Sequence, residues 1–383
     1  MSWILKGLSK GIVTSRYPRK PDGYGGNWRA SVAPRSIGAQ SLAPEGPGWP
    51  PQPLPGQGPS AAAPVRDAAA ACPTGAIHVD NDVVAVDRGR CILCGRCVAA
   101  RPDLFRFDPT IEIASLERRR IVVGNVVGNV AGNVAGNVAE DDQNLHLITS
   151  ELRRRTKALR RSVHVRHVDS GSDGSDEWEV AALTNPIYDV ARLGIFFTAS
   201  PRHADLLLIT GACVDQMREP LARTLEAMPH PRVVMAAGVD AISGGMISAV
   251  ANPGDPSAGS PRSTLAGMLG SPAGRSSGAG AGGRAGAGAG GEGSGVGGGV
   301  SDLFDVDVWV PGSPPSPFSL LHGILLAVGI LGERSAGQLH EPARAEQEGP
   351  RRQAGRQHAH HDENDNSGGD DNGGGNDNGG ALG

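Results

Sequence analysis

The chain has 383 residues, of which 57 are Gly and 29 Pro while only 4% are aromatic, so a good part of its length cannot build a packed core. Its formal net charge of -4 excludes a global basic field of the kind that draws in nucleic acid. No apolar run reaches the roughly 18 residues that a membrane span needs, so no transmembrane helix is predicted.

Residues 1–13 predict a short amphipathic helix, with Trp3, Ile4, Leu5, Leu8, Ile12 and Val13 set against Lys6 and Lys10. So short a helix needs a surface to lie on, whether its own domain, a partner or a bilayer. Met1 to Val13 lacks the pattern of a secretory signal, and a cytoplasmic location is expected. Residues 1–33 are read as this helix and an arm, and 34–64, rich in Pro, Gly and Ala, as a linker. Residues 65–123 form a compact cysteine-bearing domain. Residues 124–150 are read as a second linker, which opens on a Gly-Asn-Val repeat too short in period for any solenoid. Glu151 to Arg161 predicts a basic helix. A solvated face is its plain reading, and contact with anionic headgroups or an acidic partner its sharper one.

An α/β pattern follows over 151–252. The apolar runs 205–209 and 233–237 predict buried parallel strands, with a helix over Met217–Ala227 between them. Residues 253–300, Gly/Ser/Ala-rich, are expected to be a disordered insert. The α/β domain resumes over 301–332, with a strand at Phe304–Pro311 and a helix from Phe318. Residues 333–383 are read as a disordered tail, and the His358, His360 and His361 group in it as solvated.

Five cysteines are present, four of them within 72–97. In a reducing compartment such a group reads as metal ligands rather than disulfides. Cys91, Cys94 and Cys97 form C-x2-C-x2-C, whose tight turns aim three sulfurs at one centre, and Cys72 precedes Pro73. The segment resembles a bacterial two-cluster ferredoxin, in which each C-x2-C-x2-C-x3-C-P run lends its fourth cysteine to the other cluster. Against that pattern, the positions ten, seven and four before Cys72 are Ala62, Val65 and Ala68, and Arg101 stands where the second run should end. By the crossed rule these four losses delete one cluster, and the four survivors keep the other. One 4Fe–4S cluster on Cys72, Cys91, Cys94 and Cys97 is expected, with zinc as the rival for four thiolates.

The segment Ser162–Leu331 resembles the small subunit of energy-converting hydrogenases of the formate hydrogenlyase type and its counterpart in complex I. The residues that carry this are Asn185-Pro-Ile-Tyr-Asp-Val-Ala-Arg-Leu-Gly-Ile-Phe-Phe-Thr-Ala-Ser-Pro-Arg-His-Ala-Asp205, Leu207–Gly211, Glu226–Pro229, Ser243–Gly245 and Val310–Gly312. The part through Arg16-Tyr-Pro18 and the cysteines resembles the ferredoxin-like subunit of the same complexes, so the chain looks like a fusion of the two. The expected fold class is α/β, a small ferredoxin-like 4Fe–4S domain plus a flavodoxin-like parallel-sheet domain, with long disordered tracts.

In that family four cysteines hold a terminal cluster. The matching positions here are Asp173, Asp176, Asp240 and Ser313. Hard oxygen donors suit an iron–sulfur core poorly, so this cluster is expected to be lost. Glu177 matches an acidic residue of the family and marks a possible proton path. The resemblance implies partners: a hydrogenase or complex I-type large subunit, and membrane subunits of the antiporter-like and quinone-site types. It places the chain peripherally, on the inner face of the plasma membrane. Three functions follow. The first is an electron-transfer subunit of a membrane-associated oxidoreductase, not catalytic alone. The others are a non-redox scaffold between large and membrane subunits, and a proton or cation site at the aspartates.

Overall fold

The computed structural model describes residues 3–20, 29–35, 69–80, 83–126, 138–247 and 299–333. The 36–64 part of the first linker, the body of the repeat, most of the 253–300 insert and the tail with its histidines lie outside them.

The core is a five-stranded parallel sheet in the order β10-β9-β8-β6-β7, built from β6 (Val163–Asp169), β7 (Ile195–Phe197), β8 (Leu206–Thr210), β9 (Val233–Ala237) and β10 (Val308–Val310). The β8 and β9 sequences, LLLIT and VVMAA, are buried along their whole length, as central parallel strands covered on both faces must be. Between them runs α5 (Asp215–Ala227), and α7 (Pro317–Ala327) is buried from end to end under β9 and β10. Pro317 occupies the first turn of α7, where no N–H is needed, and Ser316 caps it by accepting from the Ser319 N–H at 3.1 Å.

The strand expected over Phe304–Pro311 is confined to Val308–Val310. Asp307, just before it, is tied to β9 by side chain and backbone: its carboxylate accepts from the Val234 N–H at 3.0 Å and pairs with Arg155 at 2.9 Å, while its N–H donates to the Val234 carbonyl at 2.9 Å. The basic run expected over 151–161 is the end of a longer helix, α3 (Val138–Arg155), followed by a 3-10 turn. Arg155 is turned inward by the same Asp307 and by the Arg232 carbonyl at 2.7 Å.

The cysteine-bearing part is built from two small antiparallel sheets. One pairs β1 (Ser31–Pro34) with β4 (Phe105–Asp108), and the other orders β2 (Ile77–Asp80), β3 (Val83–Asp87) and β5 (Val122–Val126). The stretch read as arm and linker therefore supplies a strand, and the first residues of the repeat supply another. This part is fastened to the large sheet at its β10 edge. Ser115 and Trp309 exchange backbone bonds at 2.9 and 2.8 Å. Beside them Glu333, read from the sequence as the start of the tail, is buried. It accepts from Arg120 at 2.7 Å, from the Ser115 hydroxyl at 2.6 Å and from the Leu116 N–H at 2.9 Å. Arg120 and Glu333 side chains are 0% and 5% exposed, which makes this a buried ion pair with further hydrogen bonds.

The predicted N-terminal helix is α1 (Trp3–Lys10). The chain after it docks on the large domain, where Tyr17 is buried edge-on against Phe318 and Arg192 donates to the Ser15 and Tyr17 carbonyls.

Candidate iron–sulfur centre and carboxylate pocket

Cys72, Cys91, Cys94 and Cys97 line one pocket together with Val32, Ile77 and Val86. Cys72 ends a short turn, and its sulfur accepts from the Ala76 N–H at 3.3 Å. Thr74 ties this turn to the other cysteine loop by donating to the Arg90 carbonyl at 2.6 Å. Cys91 is placed by its N–H, which donates to the Asp87 carbonyl at 3.1 Å. Asp87 is buried and held by Arg118 at 2.6 Å and by the Gly89 N–H at 2.8 Å. Between the cysteines, Leu93 and Gly95 take positive φ, which coils the loop around the cavity. Cys97 then sits in the first turn of α2 (Arg96–Ala100).

Burial, reinforced by the other three thiols, pushes the Cys91 thiol up to about 12, and burial with Cys72 and Cys94 pushes Cys97 up to about 11. Buried thiols such as Cys91 and Cys97 resist ionisation until a cationic core compensates them, which is the condition of a metal-ligating cysteine group. The donor set fits a cuboidal core: four soft sulfurs spread around a cavity, with a backbone N–H on at least one of them. Among the described residues no three His, Cys, Asp or Glu side chains are drawn together around a single ion.

The four oxygen-donor positions lie at the carboxyl ends of the parallel strands. Asp173 is in the loop after β6, Asp176 in the first turn of α4 (Ser175–Ala182), Asp240 in α6 (Gly238–Ser243) after β9, and Ser313 after β10. Asp176 is 3% exposed and has no hydrogen bond or ion pair among the described residues. Two glycines make room for the carboxylates. A Cβ on Gly238 would overlap Asp176 Oδ2, one on Gly245 would overlap Asp240 Oδ1, and both glycines have positive φ. Burial, then Asp240, Glu177, Asp173 and Asp169, push Asp176 up to about 8. Burial, then Asp173 and Glu177, push Asp240 up to about 6. Asp173 is instead exposed and held below the usual carboxylate range by Ser175, whose N–H lies 2.9 Å away. Glu177 accepts from the Ser172 hydroxyl at 2.6 Å and from Thr210, whose Oγ1 is 2.9 Å from His167 Nε2. Ser313 shares the neighbourhood through backbone, since the Gly312 carbonyl accepts the Val239 N–H at 2.9 Å.

Known proteins agree with this division. Residues 174–327 match the family described as NADH ubiquinone oxidoreductase, 20 Kd subunit, and residues 84–131 match a 4Fe-4S single cluster domain. Formate hydrogenlyase subunit 7 of Escherichia coli is 30% identical over 48% of this chain and 57% of its own length, so the chain spans little more than half of that relative. A probable membrane-bound hydrogenase subunit of Pyrococcus furiosus, mbhJ, is 30% identical over 48% of this chain and 84% of its own. The chain belongs to the NADH ubiquinone oxidoreductase 20 kDa subunit family. A solved membrane-bound sulfane sulfur reductase, an archaeal respiratory membrane complex, is 22% identical over 49% of this chain and 80% of its own, with a TM-score of 0.31.

As a member of that family, the chain brings Asp176, Glu177, Asp240 and Ser313 within the matched span, while Asp173 falls one residue before it. Cys91, Cys94 and Cys97 lie within the 4Fe–4S match, and Cys72 lies outside it yet lines the same cavity. Thr74, Asp87 and Arg118 carry no motif of their own, and sequence reading missed them. Thr210 entered only as part of the Leu207–Gly211 match, and His167, on β6, was not singled out at all. No helix of the described residues is long and apolar enough to cross a membrane.

Proposed function

We propose that this chain is a one-cluster electron-transfer subunit of a membrane-associated oxidoreductase of the complex I or hydrogenase type. Its single 4Fe–4S cluster is held by Cys72, Cys91, Cys94 and Cys97, and its terminal cluster is absent. The observation that carries this reading is that these four cysteines, distant by up to 25 positions (97 minus 72), line one cavity, while the positions of the second cluster hold three carboxylates and a hydroxyl. The protein's part is to supply four thiolates, to exclude water with Val32, Ile77 and Val86, and to orient Cys72 and Cys91 through Thr74 and Asp87. When bound, the cluster supplies one-electron storage.

The partners in this reading are a large subunit of the hydrogenase or complex I type and membrane subunits of the antiporter-like and quinone-site types. The chain sits peripherally on the inner face of the plasma membrane. Reduction of the anaerobically purified chain by dithionite tests it. One paramagnetic iron–sulfur signal integrating to about one spin per chain is expected. Two interacting spins would show a retained terminal cluster, and a centre that stays oxidised at every accessible potential would favour the scaffold role.

A further inference from the structure

The cysteine loop and the carboxylate pocket share a wall. Gly89, two residues before Cys91, packs so closely on α6 that a Cβ there would stand 2.6 Å from Ile242 Cγ2. Cys91 and Leu93 line a narrow cleft with Arg88, Pro311 and Gly312. The Gly312 carbonyl in turn accepts the N–H of Val239, the neighbour of Asp240. Charge placed at the cysteines is therefore felt across a few layers of protein backbone rather than across water, where it would be screened.

The pocket on the other side of that wall is built to hold a proton. Asp176 is 3% exposed with no hydrogen bond or ion pair among the described residues, and its carboxylate rests against Gly238, where a side chain would overlap it. The charged groups that act on it most strongly are all acidic: Asp240 on α6, Glu177 on its own helix, Asp173 on the loop before it and Asp169 at the end of β6. Two carboxylates in such a setting do not both ionise, so the more buried one keeps its proton while the other gives its up. Beyond Glu177 lie Thr210 and His167, whose Nε2 stands 3.9 Å from Glu177 Oε1.

We propose that Asp176 and Asp240 form a proton-binding pair whose occupancy follows the redox state of the centre at Cys72, Cys91, Cys94 and Cys97. This rests on the reading that an iron–sulfur centre occupies those cysteines. One electron arrives from a one-electron donor, a neighbouring iron–sulfur centre in the complex or dithionite in the test, and one proton arrives at the pair from water. Reoxidation by a one-electron acceptor returns both. No bond to iron changes. The added negative charge at the cysteines strengthens the hold of the pair on its proton.

The test uses the full chain with its cluster assembled, titrated anaerobically at a series of pH values from about 5 to about 9, bracketing the pair. The midpoint potential is expected to fall as pH rises through the range over which the pair takes up its proton, and to level where the pair is protonated, or deprotonated, in both redox states. In the Asp176→Asn/Asp240→Asn variant the same curve is expected to be flat. Infrared difference spectra, reduced minus oxidised, are expected to show a protonated-carboxyl band that shifts in D2O and disappears in the double variant. If the double variant does not fold, Asp240→Asn alone serves: loss of the neighbouring charge moves the sloping region to lower pH. A chain that carries iron and sulfide but shows a pH-independent potential overturns the coupling and leaves the cluster reading standing. A chain without iron and sulfide overturns both.

Discussion

The cysteine cavity and the carboxylate pocket pose the same electrostatic problem and relieve it differently. Each brings family cluster positions together, and each holds groups that become negative on ionisation, Cys91 and Cys97 in one and Asp176 and Asp240 in the other, in a poorly solvated place. At the cysteines the thiols are pushed up to about 12 and about 11, and a cationic iron–sulfur core compensates them. At the aspartates the carboxyls are pushed up to about 8 and about 6, so a proton held by Asp176 relieves the crowding at neutral pH. In the proposed one-cluster reading, carboxyls at these positions fall in the range where a proton exchanged with water, rather than a metal, relieves the crowding.

The sharpest way to break the comparison is to remove a sulfur. Cys91→Ser is expected to take bound iron from about four per chain to near none, read by iron analysis, because three thiolates hold a cuboidal core poorly in an open cavity. Next in size, Glu333→Ala removes a buried carboxylate that binds Arg120, the Ser115 hydroxyl and the Leu116 N–H. A loss of about 3–5 kcal/mol in denaturant titration is expected. Asp176→Asn then sharpens the carboxylate side. The folded-state affinity of Asp176 for its proton is raised, so the folded state binds more protons than the unfolded state. Stability is therefore lost as pH rises from about 4 to about 8. The Asn variant escapes this and is expected to be more stable than the parent by on the order of 3–4 kcal/mol at pH 7, and no more stable below pH 4. The smallest effect belongs to a part-exposed pair outside both regions. Arg155→Met is expected to cost about 1 kcal/mol, since its partner Asp307 keeps the Val234 N–H.

The two regions also differ in how far they can be read from sequence. The cysteine spacing and the apolar runs that become β8 and β9 announce themselves, because ligand turns and buried parallel strands each leave a local pattern. The residues that hold the cysteine loops do not. Asp87 and Arg118 meet through pairing of β3 with β5, and Thr74 reaches the Arg90 carbonyl sixteen positions on (90 minus 74), contacts that no local pattern records. Strand β1 is invisible for a related reason: four residues ending in Pro34 have no periodicity of their own and are recruited by β4. Glu333 looks like tail because composition changes there, yet its partner Arg120 lies more than two hundred positions earlier (333 minus 120). The Asp173, Asp176, Asp240 and Ser313 set was legible only through the family positions. What makes Asp176 unusual, its burial without a partner over Gly238, is a property of packing alone.

The most direct test of the central claim is a count of iron and acid-labile sulfide in the anaerobically purified chain. One cuboidal cluster on Cys72, Cys91, Cys94 and Cys97 predicts about four of each per chain. About eight of each, or zinc in place of iron, would contradict it.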